Sequence, residues 1–104
     1  MAQWQEVVTA LEPGQHTVVE LAHYSVLLVN LAGRMYAVEN RCSHDDGELD
    51  GGAIEAETVT CPRHGACFCL KTGRVLKPPA FEDIACFAVR IQDGRVQIYD
   101  DPDE

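Results

Sequence analysis

The feature that most constrains this chain is a pair of short loops, Cys42-Ser43-His44 and Cys61-Pro62-Arg63-His64. Sixteen residues separate His44 from Cys61. Each loop offers one thiol and one imidazole, and both read as turns rather than strands or helices. Four donors of this type, in two matched pairs, make a metal site. Both loops must therefore meet in the folded chain if the four side chains are to share one centre.

Two chemistries suit such a set. A single zinc ion accepts two Cys and two His in a tetrahedron and helps small domains fold. Zinc-finger spacings, however, usually pair Cys with Cys and His with His. Here each loop mixes the two types, which suits a binuclear cluster whose metals are each served by both loops. The ligand set alone leaves both open.

The rest of the chain reads as all-β. Short apolar runs broken by Gly, Pro and Asp recur, with no long helical stripe. The runs predict strands over Trp4–Val8, His16–Leu21, Val26–Leu31 and Met35–Glu39, then Thr58–Thr60, Ala66–Leu70 and Arg74–Leu76. Ala32-Gly33 and Asp93-Gly94 are hairpin signals, the second joining strands over Cys86–Ile91 and Arg95–Tyr99. Leu49–Glu57, with Gly51-Gly52, is expected to be irregular with Ile54 inward. The acidic ending Asp100–Glu104 is expected to fray. At 104 residues the chain is expected to be one domain over 1–104.

The ligand loops, with Gly47 and Leu49 after the first and Gly65, Phe68 and Thr72-Gly73 after the second, resemble the Rieske-type [2Fe–2S] ferredoxins. Pro78-Pro79 fits the proline-bearing loop that covers the cluster in that family. The resemblance extends over essentially the whole chain. It implies the Rieske fold of antiparallel sheets, with the cluster-binding loops at one tip. It also implies one [2Fe–2S] cluster per chain, with Cys42 and Cys61 on the inner iron and His44 and His64 on the outer iron.

The resemblance further sets a sub-class. Respiratory Rieske proteins carry an extra cysteine in each loop, joined as a disulfide. The matching positions here are Gly47 and Arg63, so that bridge cannot form. Those proteins also place a serine and a tyrosine after the second loop, whose hydroxyls donate to sulfur. Ala66 and Phe68 stand there instead, which implies a potential near the bottom of the ~ −150 to +300 mV that Rieske centres span.

Of the five cysteines, the cluster would use two. Cys67, Cys69 and Cys86 are expected to be small buried hydrophobes, the first two on one face of a strand. His16 and His23 have no ligand neighbour and read as surface or turn residues. Asp45 and Asp46 read as a solvated turn in which Gly47 supplies a positive φ.

Charge and composition then narrow the partners. Eight basic against seventeen acidic residues give −9, which argues against nucleic acid. It suits solubility and docking on a basic partner patch. No basic region followed by an apolar run opens the chain, so neither a signal peptide nor a membrane span is expected and the protein is expected in the cytoplasm.

The function implied by the resemblance is a soluble one-electron carrier rather than an enzyme. It would take electrons from an NAD(P)H-dependent flavoprotein reductase and pass them to a terminal dioxygenase. The same ferredoxin could serve another redox pathway, such as iron–sulfur assembly. A nitrite reductase small subunit shares the fold, although many of those have lost the ligands. An oxygenase subunit would need a further site of two histidines and a carboxylate, for which only His16 and His23 remain.

Overall fold

The computed structural model describes residues 3–7 and 11–102. These residues form eleven strands and no helix: β1 (Trp4–Val7), β2 (His16–Glu20), β3 (Ser25–Leu31), β4 (Arg34–Glu39), β5 (Ile54–Glu55), β6 (Thr58–Thr60), β7 (Cys67–Cys69), β8 (Val75–Lys77), β9 (Cys86–Phe87), β10 (Val89–Gln92) and β11 (Arg95–Tyr99). The antiparallel all-β class expected from the sequence is the one observed. Val8, expected to end the first strand, and Asp103 and Glu104, expected to fray, lie outside the described residues.

Three antiparallel sheets are present, ordered β1-β11-β10, β2-β3-β4-β9 and β5-β6-β7-β8. The second is the middle layer, and β3 shows why. Its residues Val26 to Asn30 are all buried, so both faces of the strand are covered. Side chains alternate across a strand, and here the alternation sorts two cores. Leu27 and Val29 pack with Val59, Phe68 and Leu70 of the β5–β8 side. Val26 and Leu28 pack with Phe87 and Ile98 of the β10–β11 side.

The turns follow the glycines. Ala32 and Gly33 both take positive φ (53° and 93°), as do Asp93 and Gly94 (54° and 75°). That is the pattern of a two-residue hairpin whose twist matches its strands. One expected strand is divided. Cys86–Phe87 pairs with β4, whereas Val89–Gln92 pairs with β11. The chain changes sheet at Ala88, so Phe87 and Val89 join the same core from two layers.

The connections place both ligand loops at one end. The first loop follows β4 and the second joins β6 to β7. A third segment, 78–83, leans against them. Its Ala80 is buried in the same cluster as Cys42 and Cys61, and the Ser43 hydroxyl donates to the Glu82 carbonyl at 2.5 Å. The expected proline-bearing cover therefore lies against the first loop. Gly73 supports it from below. Its φ of 77° and the approach of the Ile84 carbonyl both forbid a Cβ there.

Candidate metal centre

The two loops share one backbone frame. In the first, the Cys42 amide donates to the Gly47 carbonyl at 2.8 Å and the Asp46 amide to the Cys42 carbonyl at 2.8 Å. In the second, the Cys61 amide donates to the Ala66 carbonyl at 2.7 Å and the Gly65 amide to the Cys61 carbonyl at 3.2 Å. Asp46 and Gly65, at the same place in each frame, both take positive φ (60° and 80°). Asp46, not Gly47, thus supplies the left-handed residue of the first loop. Asp reaches that region more readily than most residues with a Cβ.

Asn40 anchors the first loop. Its side-chain oxygen accepts from the amides of Leu49 and Asp50 at 3.0 and 2.9 Å, and its amide group donates to Glu48 at 3.2 Å. Nearly buried, it leaves no polar atom of its own orphaned, which is what makes a polar core residue tolerable.

The four sequence-predicted donors arrive in two layers. Cys42 and Cys61 are 0% and 2% exposed. Their sulfurs and an Asp45 carboxylate oxygen lie within 4.8 Å of one another. His44 and His64 are exposed, with ring centroids 5.0 Å apart and planes at 83°. One nitrogen of each lies within 4.8 Å of the other and of Asp45. Buried thiols beneath exposed imidazoles form a graded donor set, soft inside and borderline outside.

At Cys42 the net effect of the surroundings is to hold the thiol protonated. Burial pushes the Cys42 thiol up, the backbone amides of His44 and Asp45 oppose it, and the Cys61 side chain adds to the rise. A cation binding there must displace protons, so its affinity rises with pH. Those two amides would donate to the sulfur once it is a thiolate.

Asp45 is the residue that sequence reasoning missed. Read as a solvated charge, it instead keeps only 20% of its side chain exposed and stands between the two layers. The Arg63 guanidinium, followed by the Gly47 amide, holds its carboxyl well below the usual carboxylate range. Its Oδ2 also lies 3.4 Å from His64 Nδ1. A carboxylate directly after a ligand-loop histidine was the available signal.

The other candidates fall away from the centre. His16 lies 3.4 Å from Asp50 on the surface, and His23 is exposed. Cys67, Cys69 and Cys86 are half-buried rather than buried. Phe68 points inward between Cys67 and Cys69, which share the other face. Cys67 Sγ sits 3.3 Å from Thr60 Oγ1. Burial pushes the Cys69 thiol up, but the Thr72 hydroxyl and the amides of Lys71 and Thr72 outweigh it and leave the pKa below the ordinary value. Ala66 and Phe68 are fully buried beside the centre and bring no hydroxyl to it.

Comparison with known proteins places the chain in a family and a fold. The family described as Rieske [2Fe–2S] domain matches residues 3–88. The 3-phenylpropionate/cinnamic acid dioxygenase ferredoxin subunit of Escherichia coli strain K12 is 39% identical over 74 residues, 70% of each chain. The ferredoxin of carbazole 1,9a-dioxygenase from Nocardioides aromaticivorans IC177 superposes with a TM-score of 0.81 at 27% identity, covering 89% of this chain and 95% of its own. A chain in a complex of reduced oxygenase and oxidized ferredoxin of carbazole 1,9a-dioxygenase gives 0.89 at 24% identity, covering 97% and 96%. At that identity the last likeness speaks for the fold alone.

Proposed function

This chain belongs to the Rieske [2Fe–2S] domain family, and on that premise we propose that it is the ferredoxin of a dioxygenase-type system. It receives single electrons from an NAD(P)H-dependent flavoprotein reductase and delivers them to a terminal oxygenase. The same reading takes residues 1–104 as one Rieske domain and places the protein in the cytoplasm. Among the described residues, no helix is long and apolar enough to cross a membrane.

The observation that carries this reading is the layering of the donors. The residues present fit the family's cofactor: two thiols buried together for the inner iron, Cys42 and Cys61, and two exposed imidazoles for the outer one, His44 and His64. When bound, a [2Fe–2S] cluster supplies reversible one-electron exchange. Everything else follows from the chain's own residues. Leu49, Phe68 and Ala80 exclude water from the thiol layer. The amides of His44 and Asp45 point at the Cys42 sulfur and favour added negative charge there. The imidazoles reach the surface, so an electron has its shortest way out through them, and their far nitrogens are available to a partner. Four protein donors leave no position for a substrate, so the chain carries electrons and transforms nothing itself.

The relative of highest identity named above is a dioxygenase ferredoxin subunit, which favours this reading over a nitrite reductase subunit. An anaerobic reductive titration followed by mixing with oxygenase tests it. One electron per chain should bleach the visible bands, and the oxidised oxygenase should restore them. A chain that accepts no electron contradicts the proposal.

A further inference from the structure

The two ligand loops come from different sheets, one after β4 and the other between β6 and β7. Each closes on itself through its own frame of backbone hydrogen bonds, and Asn40 braces only the first. Beside the 3.4 Å approach of His64 Nδ1 to Asp45 Oδ2, the hydrogen bonds that cross from one loop to the other come from the side chain of Arg63. Its Nε donates to Asp45 Oδ2 at 2.6 Å and its Nη2 to Asp45 Oδ1 at 3.1 Å. Its Nη1 donates to the Glu48 carbonyl at 2.9 Å. The guanidinium is thus spread over the first loop from Asp45 to Glu48.

Gly47 lies directly beneath it. A Cβ built there would stand 2.5 Å from Arg63 Cζ and Nη2. Gly47 is not among the residues of positive φ, so backbone conformation does not call for a glycine at this position. Room for the guanidinium does.

We propose that Arg63 is a positioning residue: a non-covalent clasp that holds the two ligand loops, and so the two donor pairs, at fixed separation. This rests on the electron-carrier reading for its purpose, not for its geometry. An ordinary surface ion pair would be too weak for the task. This one is charge-assisted and two-pronged, with a third bond to backbone, and the forked guanidinium fits it in a way that a lysine ammonium cannot.

Two arms of one experiment separate the clasp from the cofactor reading. In the metal-free protein, native-state alkylation by iodoacetamide is followed cysteine by cysteine by mass spectrometry. Arg63→Ala should let Cys42 and Cys61 react on the order of tenfold faster, by loss of a charge-assisted pair. Cys67, Cys69 and Cys86 should keep their rates, which separates loop opening from general unfolding. Gly47→Ala, with Arg63 intact, should produce the same local change by displacing the guanidinium, and Arg63→Lys should recover only part of the protection. In the iron- and sulfide-loaded protein, the Ala variants should lose visible absorbance to a chelator faster and broaden the electron spin resonance signal. Unchanged alkylation of Cys42 and Cys61 in both Ala variants, or acceleration of all five cysteines alike, overturns the clasp. A wild-type chain that takes up no iron and sulfide overturns the electron-carrier reading instead, and the alkylation arm still decides the clasp.

Discussion

Cys42 and Cys61 head two loops of one design. The amide of each donates across its loop, to Gly47 and Ala66, and the carbonyl of each receives the amide of a left-handed residue, Asp46 and Gly65. The histidines break the symmetry, since His44 sits one position nearer its cysteine than His64 does. Equal frames with unequal histidine offsets still bring the thiols together inside and the imidazoles together outside.

That separation by depth gives the first prediction. His44 and His64 are exposed and carry none of the core. In the metal-free protein, replacing either by Ala should leave the fold and its melting temperature nearly unchanged, since surface changes usually cost within about 0.5 kcal/mol. The spectroscopic signature of mixed Cys/His ligation should disappear. Thermal melting followed by circular dichroism, beside electron spin resonance of the reduced protein, checks both halves.

A second concerns the potential. Ala66 and Phe68 lie against the thiol layer and offer it no hydroxyl. Ala66→Ser and Phe68→Tyr each add a donor that favours the electron-rich reduced state. Both should raise the reduction potential from the lower part of the ~ −150 to +300 mV range of Rieske centres. Protein-film voltammetry reads the shift. A native potential near the top of that range would refute the reasoning.

A third concerns docking. Phe81 is 85% exposed, unusual for so large an apolar side chain. It adjoins Glu82, whose carbonyl takes the Ser43 hydroxyl, so it stands at the rim of the centre. Phe81→Ala should raise KM for the oxygenase on the order of tenfold, as loss of an interface anchor does, with the potential unmoved. With the net charge of −9, the native rate should also fall as salt rises. Steady-state turnover across ionic strength measures both.

A fourth follows from Asp100, which accepts the Gln3 amide and the Gln5 side chain, each at 2.9 Å. The Gln3 amide first, then the Gln5 side chain, lowers its pKa below the ordinary 3.8. A depressed carboxyl stabilises the folded state above its unfolded pKa, and that contribution is lost as pH falls toward the folded value. Asp100→Asn should therefore melt below wild type at pH 7, and the gap should narrow under pH 4. A gap independent of pH would rule out the pairing as its source.

The sequence disclosed the centre better than the scaffold. Cys and His at loop spacing advertise a metal because few other roles want that mixture. Gly33 and Gly94 marked their hairpins because only certain residues turn there cheaply. The division of β3 into two cores was not legible, since an unbroken apolar run does not say which layer each face meets. Nor was the change of sheet at Ala88, which depends on partners far along the chain. Asp45 was read as part of a solvated turn and Arg63 only as the place of a missing cysteine, because nothing in the sequence says which side chains pair where the two loops meet. Gly47 was noticed for the wrong property: it makes space rather than a turn.

The central claim is that Cys42 and Cys61 hold one iron while His44 and His64 hold the other. Iron and acid-labile sulfide, assayed on anaerobically purified protein together with electron spin resonance after reduction, test it most directly. The account expects two irons and two sulfides per chain and a signal of mixed Cys/His ligation that Cys61→Ser and His64→Ala each abolish. Colourless protein carrying zinc, or a signal untouched by His64→Ala, would contradict it.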